Sequence, residues 1–129
     1  MTMALRRRAW LAHATVLTAL PALALLGRRG LAQTALPQVI KLVAHRFHYT
    51  PREFQVKAGQ PVVLEFTALD FIHGFHMPDL KLRADLQPGT VTRVSFTVDK
   101  PGVYEFLCDN FCGDGHEEMN GRMVVTAGL

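Results

Sequence analysis

Short runs in which apolar and polar residues alternate, separated by proline and glycine, restrict the fold of this chain more than any other sequence feature. Residues 62–69 form the clearest run, and residues 92–98 form a second one. Every second residue lies on one face of these runs: Val62, Leu64, Phe66 and Ala68 in the first, and Thr92, Val94, Phe96 and Val98 in the second. Because successive strand residues point to opposite faces, each run can cover a core with one face. The pattern predicts an all-β domain.

Turn residues divide the rest of the chain into further predicted strands. They lie at residues 39–47, within TPREFQVKAGQP, and at residues 103–108 and 121–126. About seven strands at a spacing of roughly 8 to 12 residues favour a Greek-key β-sandwich over residues 36–129. Residues 70–90 and 108–121 are the expected long loops. Binding residues concentrate on loops that a rigid scaffold carries, so chemistry is expected there.

The first 32 residues have the composition of an export signal. Three arginines precede an uncharged apolar segment, residues 9–27, which is followed by two more arginines and small residues before Gln33. This order predicts a signal peptide over residues 1–32, and residues 7–11 resemble the twin-arginine pattern. The uncharged segment would also span roughly 28 Å as a helix, so a retained membrane anchor is the alternative. Either outcome places the domain in the periplasm or on the outer face of the cytoplasmic membrane.

The positive charge of the chain comes from this N-terminal segment. The sequence has 14 Lys and Arg against 11 Asp and Glu, a formal net charge of +3. Five of the basic residues and none of the acidic ones lie in residues 1–32, which leaves nine against 11 and a net charge of about −2 on the domain. A domain without a basic surplus lacks the electrostatic footprint of nucleic-acid binding.

The segment CDNFCGDGHEEM, residues 108–119, contains both cysteines of the chain together with His116 and Met119. An even number of cysteines in an oxidising compartment usually indicates a disulfide, which is one interpretation. Thiolate, imidazole and thioether are also the donors that select copper, with zinc as the main competitor. A blue-copper site needs a second histidine, which His73 in the other long loop can supply. One copper would leave Cys108 without a role, whereas two thiolates can each bridge two metals.

These residues resemble the CuA domain of cytochrome oxidase subunit II, which is shared with nitrous oxide reductase. The signature of that family is C-x3-C-x3-H-x2-M after a distant D-x-x-H-G/S-F/W, and the second part reads DFIHGF here, from Asp70 to Phe75. The resemblance covers about residues 38–127 and implies a cupredoxin-like Greek-key β-sandwich with two copper ions per chain, in a binuclear centre. It implies six ligands: bridging Cys108 and Cys112, equatorial His73 and His116, and weak axial Met119 and the backbone carbonyl of Asn110.

Two positions depart from the common pattern of that family. Respiratory A-type subunits commonly have a glutamate where Asn110 stands, and its side chain also helps to bind magnesium. An amide at this position resembles the B-type oxidases. The family often has a tryptophan-rich patch that accepts electrons, whereas the one tryptophan here is Trp10. Phe47 and Tyr49 are the aromatic residues that remain as candidates for that patch.

Three further histidines are expected outside the ligand set. The positions of His73 and His76 differ by three, an odd number, so the two would face opposite ways on an extended segment, and His76 is expected at the domain rim. His45 and His48 are expected at the surface. The acidic residues of the last loop form either a solvated loop or a negative collar that steers a basic redox partner. They are Asp109, Asp114, Glu117 and Glu118.

The resemblance implies an electron-transfer domain that accepts one electron at a time from a cytochrome c-like donor, with oxidase subunit I as a further partner. Contact with the membrane would be made only through the N-terminal helix. The sequence shows no nucleophile and base arrangement, so we expect no enzymatic activity from the domain on its own. An exported copper-storage or copper-delivery cupredoxin with the same ligands is one alternative, and a mononuclear blue-copper carrier is another. A disulfide-stabilised sandwich without metal is a third.

Overall fold

Nine β-strands form two sheets in residues 35–128, the part of the chain that the computed structural model describes. The strands are β1 (Gln38–His45), β2 (His48–Thr50), β3 (Glu53–Lys57), β4 (Pro61–Ala68), β5 (His73–Met77), β6 (Leu82–Leu86), β7 (Val91–Thr97), β8 (Gly102–Leu107) and β9 (Asn120–Thr126). Two short 3₁₀ turns, Pro78–Leu80 and His116–Glu118, complete the regular structure of this part. The all-β sandwich expected from the sequence is therefore confirmed.

The chain crosses repeatedly between the two sheets. The first sheet has the order β2-β1-β4-β7, and the second has the order β3-β9-β8-β5-β6. β1 runs parallel to β4, and β3 runs parallel to β9, while the remaining pairs are antiparallel. Because parallel neighbours need a crossover connection, each of these pairs joins segments that are distant in sequence. The antiparallel pairing of β8 with β5 and with β9 brings the start of β5 at His73 and residues 108–119 to the same end of the second sheet.

Buried aromatic rings fill the space between the sheets. β4 confirms the predicted alternation, since Val62, Leu64, Phe66 and Ala68 are all buried. The Phe66 ring lies 4.7 Å from that of Phe75, measured between centroids. The rings of Tyr49 and Phe106 are 5.1 Å apart at 70°, an edge-to-face contact. Such pairs add roughly 0.5 to 1.5 kcal/mol beyond the burial of their area.

The prediction of a long loop at residues 70–90 was wrong, because this stretch contains β5, the Pro78–Leu80 turn and β6. β5 lies between β8 and β6, and four of its five residues are buried, so its sequence lacks the period of two that reveals a half-exposed strand. The first strand also ends earlier than expected. It stops at His45, and Arg46 and Phe47 form the turn of a hairpin with β2, whose three residues the sequence did not reveal.

No helix within residues 35–128 has the length and apolar character that a membrane crossing requires. The predicted signal or anchor at residues 1–32 lies outside the described residues, so its fate stays a prediction.

Phe66 tests the importance of the aromatic core. We expect Phe66→Ala to lower the free energy of unfolding by about 3 to 5 kcal/mol, because the substitution leaves a cavity beside the rings of Tyr49 and Phe75. The measurement is denaturant unfolding of the metal-free protein. Phe111→Ala makes the same chemical change at a side chain that is 78% exposed, and it should cost less than about 0.5 kcal/mol. Equal losses for the two variants would contradict this description of the core.

Candidate metal centre

The predicted ligands gather where three neighbouring strands of the second sheet end. His73 is the first residue of β5, Cys108 follows the last residue of β8, and Met119 precedes β9. β8 pairs with both neighbours at this end, since Leu107 lies opposite His76 of β5 and opposite Asn120 of β9. The Cys108 N–H donates a hydrogen bond to the Met119 carbonyl at 2.9 Å and closes the loop between them. Sheet pairing thus brings His73 beside a loop that starts 35 residues later in the sequence.

The six predicted site residues form one chain of close contacts. Ligand atoms of His73, Cys108 and Cys112 lie within 4.8 Å of one another. Cys112 Sγ is 3.6 Å from His116 Nδ1 and 3.9 Å from Met119 Sδ. The backbone oxygen of Asn110 lies 3.2 Å from Cys108 Sγ. The structure therefore brings together all six residues, although their roles as ligands stay a prediction.

Both cysteines are free, and their Sγ atoms are 3.9 Å apart. A disulfide requires about 2.05 Å, so the structure presents the cysteines as two separate sulfur donors. Burial raises the pKa of the Cys112 thiol, and the neighbouring Cys108 sulfur raises it further, to about 11. Because metal binding deprotonates a thiol, a cation between the two sulfurs would offset the repulsion that opposes two adjacent thiolates.

His73 has the environment of a metal-ligating histidine. Its side chain is fully buried, and Nε2 lies 2.6 Å from Asp70 Oδ1. The carboxylate can only accept, so Nε2 carries the proton and Nδ1 has a free lone pair. Nδ1 is buried without a hydrogen-bond partner among the described residues. A ligating histidine usually donates its other N–H to a carboxylate in this way, so the unpaired Nδ1 beside two sulfurs fits a bound metal ion.

Asp70 is held as an ionised carboxylate. Partial burial acts to raise its pKa, but hydrogen bonds from the His73 ring and from the backbone N–H groups of Arg46 and Phe71 outweigh that effect and lower the pKa to about 2. The Arg46 N–H donates to Oδ2 at 2.7 Å, and the Phe71 N–H donates to Oδ1 at 2.9 Å. Asp70 therefore fixes the tautomer and the orientation of His73 while it ties the β1–β2 turn to the site.

Gly74 lets the cysteine loop approach β5. A side chain at this position would collide with Asp109 Oδ1, and its Cβ would lie 3.1 Å from the Asn110 nitrogen. The Gly74 N–H donates to Cys108 Sγ at 3.3 Å, and its carbonyl accepts a 2.6 Å hydrogen bond from the Tyr49 hydroxyl. Burial and the nearby Cys108 sulfur raise the pKa of Tyr49, which keeps this hydroxyl a donor.

The ring of Phe47 packs against the cysteine loop, residues 108–119. Gly113 and Gly115 have φ values of 124° and 104°, which favour glycine, and both lie over this ring. A Cβ on Gly115 would come within 2.7 Å of the Phe47 ring. Phe47 therefore packs beneath the segment that leads from Cys112 to His116.

Neither of the two aromatic residues that were candidates for an electron-accepting patch is exposed. Tyr49 is 1% exposed and hydrogen-bonded, so it belongs to the core, and Phe47 is half-buried beneath the loop. Phe111, which the sequence analysis did not single out, is 78% exposed. Its ring centroid lies 5.8 Å from that of His116. The sequence could have identified Phe111 by its position between Asn110 and Cys112, because a residue between two predicted ligands lies close to the metal centre.

The remaining histidines and acids lie around the site. His76 is half-buried on β5 and is not among the grouped donors, as expected from its odd separation from His73. Asp109 forms an ion pair with Arg83 at 2.6 Å, so this acid is partly neutralised by a residue that is distant in sequence. The exposed acids that remain in the loop are Asp114, Glu117 and Glu118.

Comparison with known proteins gives the family of the chain. The family model described as the cupredoxin-like domain matches residues 14–125. The chain belongs to the cupredoxin-like family. Cytochrome c oxidase subunit 2 of Thermus thermophilus is 36% identical over 86 residues, which are 67% of this chain and 64% of that protein. This cupredoxin-like chain therefore spans less than two thirds of that relative.

Other relatives and solved structures agree with this assignment. Nitrous-oxide reductase of Cupriavidus necator is 37% identical over 92 residues, which are 68% of this chain and 14% of that enzyme. A heme-copper terminal oxidase dimer contains a chain with 29% identity and a TM-score of 0.63, over 69% of this chain and 65% of that one. The periplasmic domain of subunit II of cytochrome oxidase from Bradyrhizobium japonicum shares the fold, with a TM-score of 0.65 at 21% identity over 70% of this chain and 84% of that one.

Asp70 offers a test of how the site is supported. We expect Asp70→Ala to weaken copper binding by roughly 10- to 100-fold, because His73 loses the acceptor that orients its ring. Competition with a chromophoric copper chelator measures the change. Asp79→Ala removes an exposed carboxylate from the Pro78–Leu80 turn and is the matched control. Equal affinities for these two variants would show that the hydrogen bond from His73 to Asp70 does not support metal binding.

Proposed function

We propose that this chain is an exported electron-transfer domain with a binuclear copper centre of the CuA type. One observation carries the proposal: two free thiols, with sulfurs 3.9 Å apart, lie beside the orphaned Nδ1 of His73 and the Nδ1 of His116. Two sulfurs and two imidazoles are the soft and borderline donors that select copper over harder cations. The similarity to subunit 2 of a cytochrome c oxidase and to nitrous-oxide reductase supports the same conclusion.

Each donor has a role in this proposal. Cys108 and Cys112 would hold the two coppers as shared thiolate ligands, and His73 and His116 would each bind one of them through a ring nitrogen. Met119 Sδ and the Asn110 carbonyl would be weaker donors, which is supported by their positions beside Cys112 and Cys108 respectively. Asn110 offers no carboxylate for a neighbouring magnesium ion, in keeping with a B-type oxidase subunit.

A copper pair bridged by two thiolates supplies one-electron transfer with little change in ligand geometry. The protein keeps that change small by fixing the donors before an electron arrives. The Asp70 carboxylate holds His73, the Gly74 N–H holds Cys108, and the bond from the Cys108 N–H to the Met119 carbonyl closes the loop. Burial of His73, Cys108 and Met119 excludes water from half of the six donors. The proposal includes no substrate pocket and no catalytic residue.

Copper content and electron paramagnetic resonance test the binuclear centre. The full chain loaded with copper should hold two coppers and show a seven-line hyperfine pattern, because one unpaired electron is shared by two nuclei. Cys108→Ser should abolish the pattern, since it removes one bridging thiolate. Met119→Leu should keep the seven lines, because the bridging pair survives and leucine has nearly the volume of methionine.

Other outcomes separate the alternative functions. One copper with four lines would contradict the proposal and favour a mononuclear blue-copper carrier. Two coppers that pass readily to a competing chelator would favour copper storage or delivery. A chain that takes up no copper would contradict all three functions.

The electron donor that we propose is a cytochrome c-like protein with a basic face. Phe111 is largely exposed and its ring lies beside His116, so a partner that covers Phe111 comes close to a ligand. Leu69 and Ile72, also exposed, belong to the loop that precedes His73. The exposed carboxylates of Asp114, Glu117 and Glu118 would steer a basic partner to this surface. The predicted N-terminal signal or anchor would place the domain where such donors and an oxidase subunit I are found.

Phe111 provides the test of this docking surface. We expect Phe111→Ala to lower the second-order rate of electron transfer from a reduced cytochrome c by at least about fivefold, because an aromatic anchor at the centre of an interface is lost. Stopped-flow absorbance measures the rate. Val103→Ala shortens a side chain that is 58% exposed at the start of β8, the strand end remote from Cys108, and it is the control. Equal rates for the two variants would place the docking surface elsewhere.

A further inference from the structure

Two histidines outside the metal centre face each other across the β1–β2 hairpin. His45 ends β1 and His48 begins β2, and the register places them directly opposite each other. Directly opposed residues have Cβ atoms about 4.5 to 5.5 Å apart, so their side chains can contact each other. The centroids of the two rings are 3.7 Å apart. The hairpin thus brings together two nitrogen donors that the sequence analysis regarded as separate surface residues.

The two rings are accessible, and no other group of the described structure engages them. His48 is exposed and His45 is half-buried. Within residues 35–128, neither ring takes part in a hydrogen bond or an ion pair, whereas His73 is held by Asp70. A histidine pair with free nitrogens at a surface differs from a structural histidine, whose polar atoms are satisfied by protein groups.

The charged groups near His45 and His48 are compatible with a bound cation. Arg46 lies between the two histidines in sequence, and its guanidinium carbon is 5.3 Å from the centroid of the Phe71 ring, in a cation–π contact. The Asp70 carboxylate lies next to the same turn, where it accepts the hydrogen bond from the Arg46 N–H. A negative carboxylate near the turn opposes the unfavourable effect that the arginine has on a cation.

We propose that His45 and His48 form a second metal site, which binds a borderline divalent cation of the Cu²⁺ and Zn²⁺ class. Two neutral imidazoles supply the protein donors, and water completes the coordination. Imidazole suits both ions, and the stability order of divalent metals puts Cu²⁺ above Zn²⁺. The site is separate from the sulfur-containing centre and shares no ligand with it.

The proposed histidine site lies on the β1–β2 hairpin, and the turn of that hairpin also contacts the sulfur-containing centre. The Arg46 N–H donates to Asp70, which holds His73, and the Phe47 ring packs against Gly113 and Gly115 of the cysteine loop. A metal ion held by His45 and His48 would therefore fasten the hairpin whose two turn residues support the CuA-type ligands. An exported protein that takes up copper would gain an exposed copper-binding group next to its buried centre.

The test uses the full-length chain with Cys108→Ser and Cys112→Ser, which removes both thiols of the first centre. Cu²⁺ or Zn²⁺ is added alone, with affinity measured by calorimetry and, for Zn²⁺, with the histidine rings followed by nuclear magnetic resonance. We expect the His45 and His48 ring signals to shift together. Substituting His45→Gln or His48→Gln in this background should weaken binding of each ion at least roughly tenfold, because one of two protein donors is lost.

His76→Gln in the same background is the matched control, because His76 is a half-buried histidine with no part in the pair. It should leave the affinity unchanged. Equal affinities for all three glutamine variants, or a Zn²⁺ shift confined to one ring, would overturn the proposal. His48 is exposed, so His48→Gln decides the question even if His45→Gln proves less stable. Because this background lacks the thiols, the result is independent of whether the first centre holds two coppers.

Discussion

The antiparallel pairing of β8 with β5 and with β9 is the constraint on which the rest of the site depends. It puts the end of β8 beside both neighbouring strands, and at this end of the sheet each of the three strands carries or adjoins a sulfur or imidazole donor. The hydrogen bond from the Cys108 N–H to the Met119 carbonyl then turns the intervening residues into a closed loop. Because main-chain hydrogen bonds and a buried aromatic core hold these strands, the donors are positioned before any metal binds. Such preorganisation is what rapid one-electron transfer requires of a protein.

Asp70 connects the parts of the protein that surround this site. One of its oxygens accepts from the His73 ring and from the Phe71 N–H, and the other accepts from the Arg46 N–H in the β1–β2 turn. The carboxylate thereby couples a ligand in the second sheet to a hairpin in the first. The adjacent turn residue, Phe47, packs beneath the glycines of the cysteine loop. A short turn that binds no metal in the CuA-type proposal therefore supports both halves of the ligand set, and it carries the histidine pair to which we assign a second site.

The aromatic residues divide into a supporting set and an exposed one. Tyr49 is buried and donates its hydroxyl to the Gly74 carbonyl, and the N–H of the same glycine donates to Cys108 Sγ. Phe111 is the reverse case, because its ring is largely exposed although it belongs to the same loop as five of the six predicted donors. The distinction matters for function, because a buried aromatic side chain stabilises ligand geometry whereas an exposed one can be covered by a redox partner.

The sequence by itself determined the sandwich class, and it predicted the six site residues that the structure brings together. Period-two alternation reveals half-buried strands such as β4, and donor types at close spacing reveal a metal loop without any knowledge of the fold. It did not reveal β5, because a strand covered on both faces has no alternation, and it offered Tyr49 as a candidate for an electron-accepting patch although this residue belongs to the core. Only the tertiary structure decided that Arg83 pairs with Asp109, that Asp70 joins His73 to the β1–β2 turn, and that His45 faces His48. The physical reason is that these contacts depend on strand register and on the crossing of the chain between sheets, which local sequence patterns do not encode.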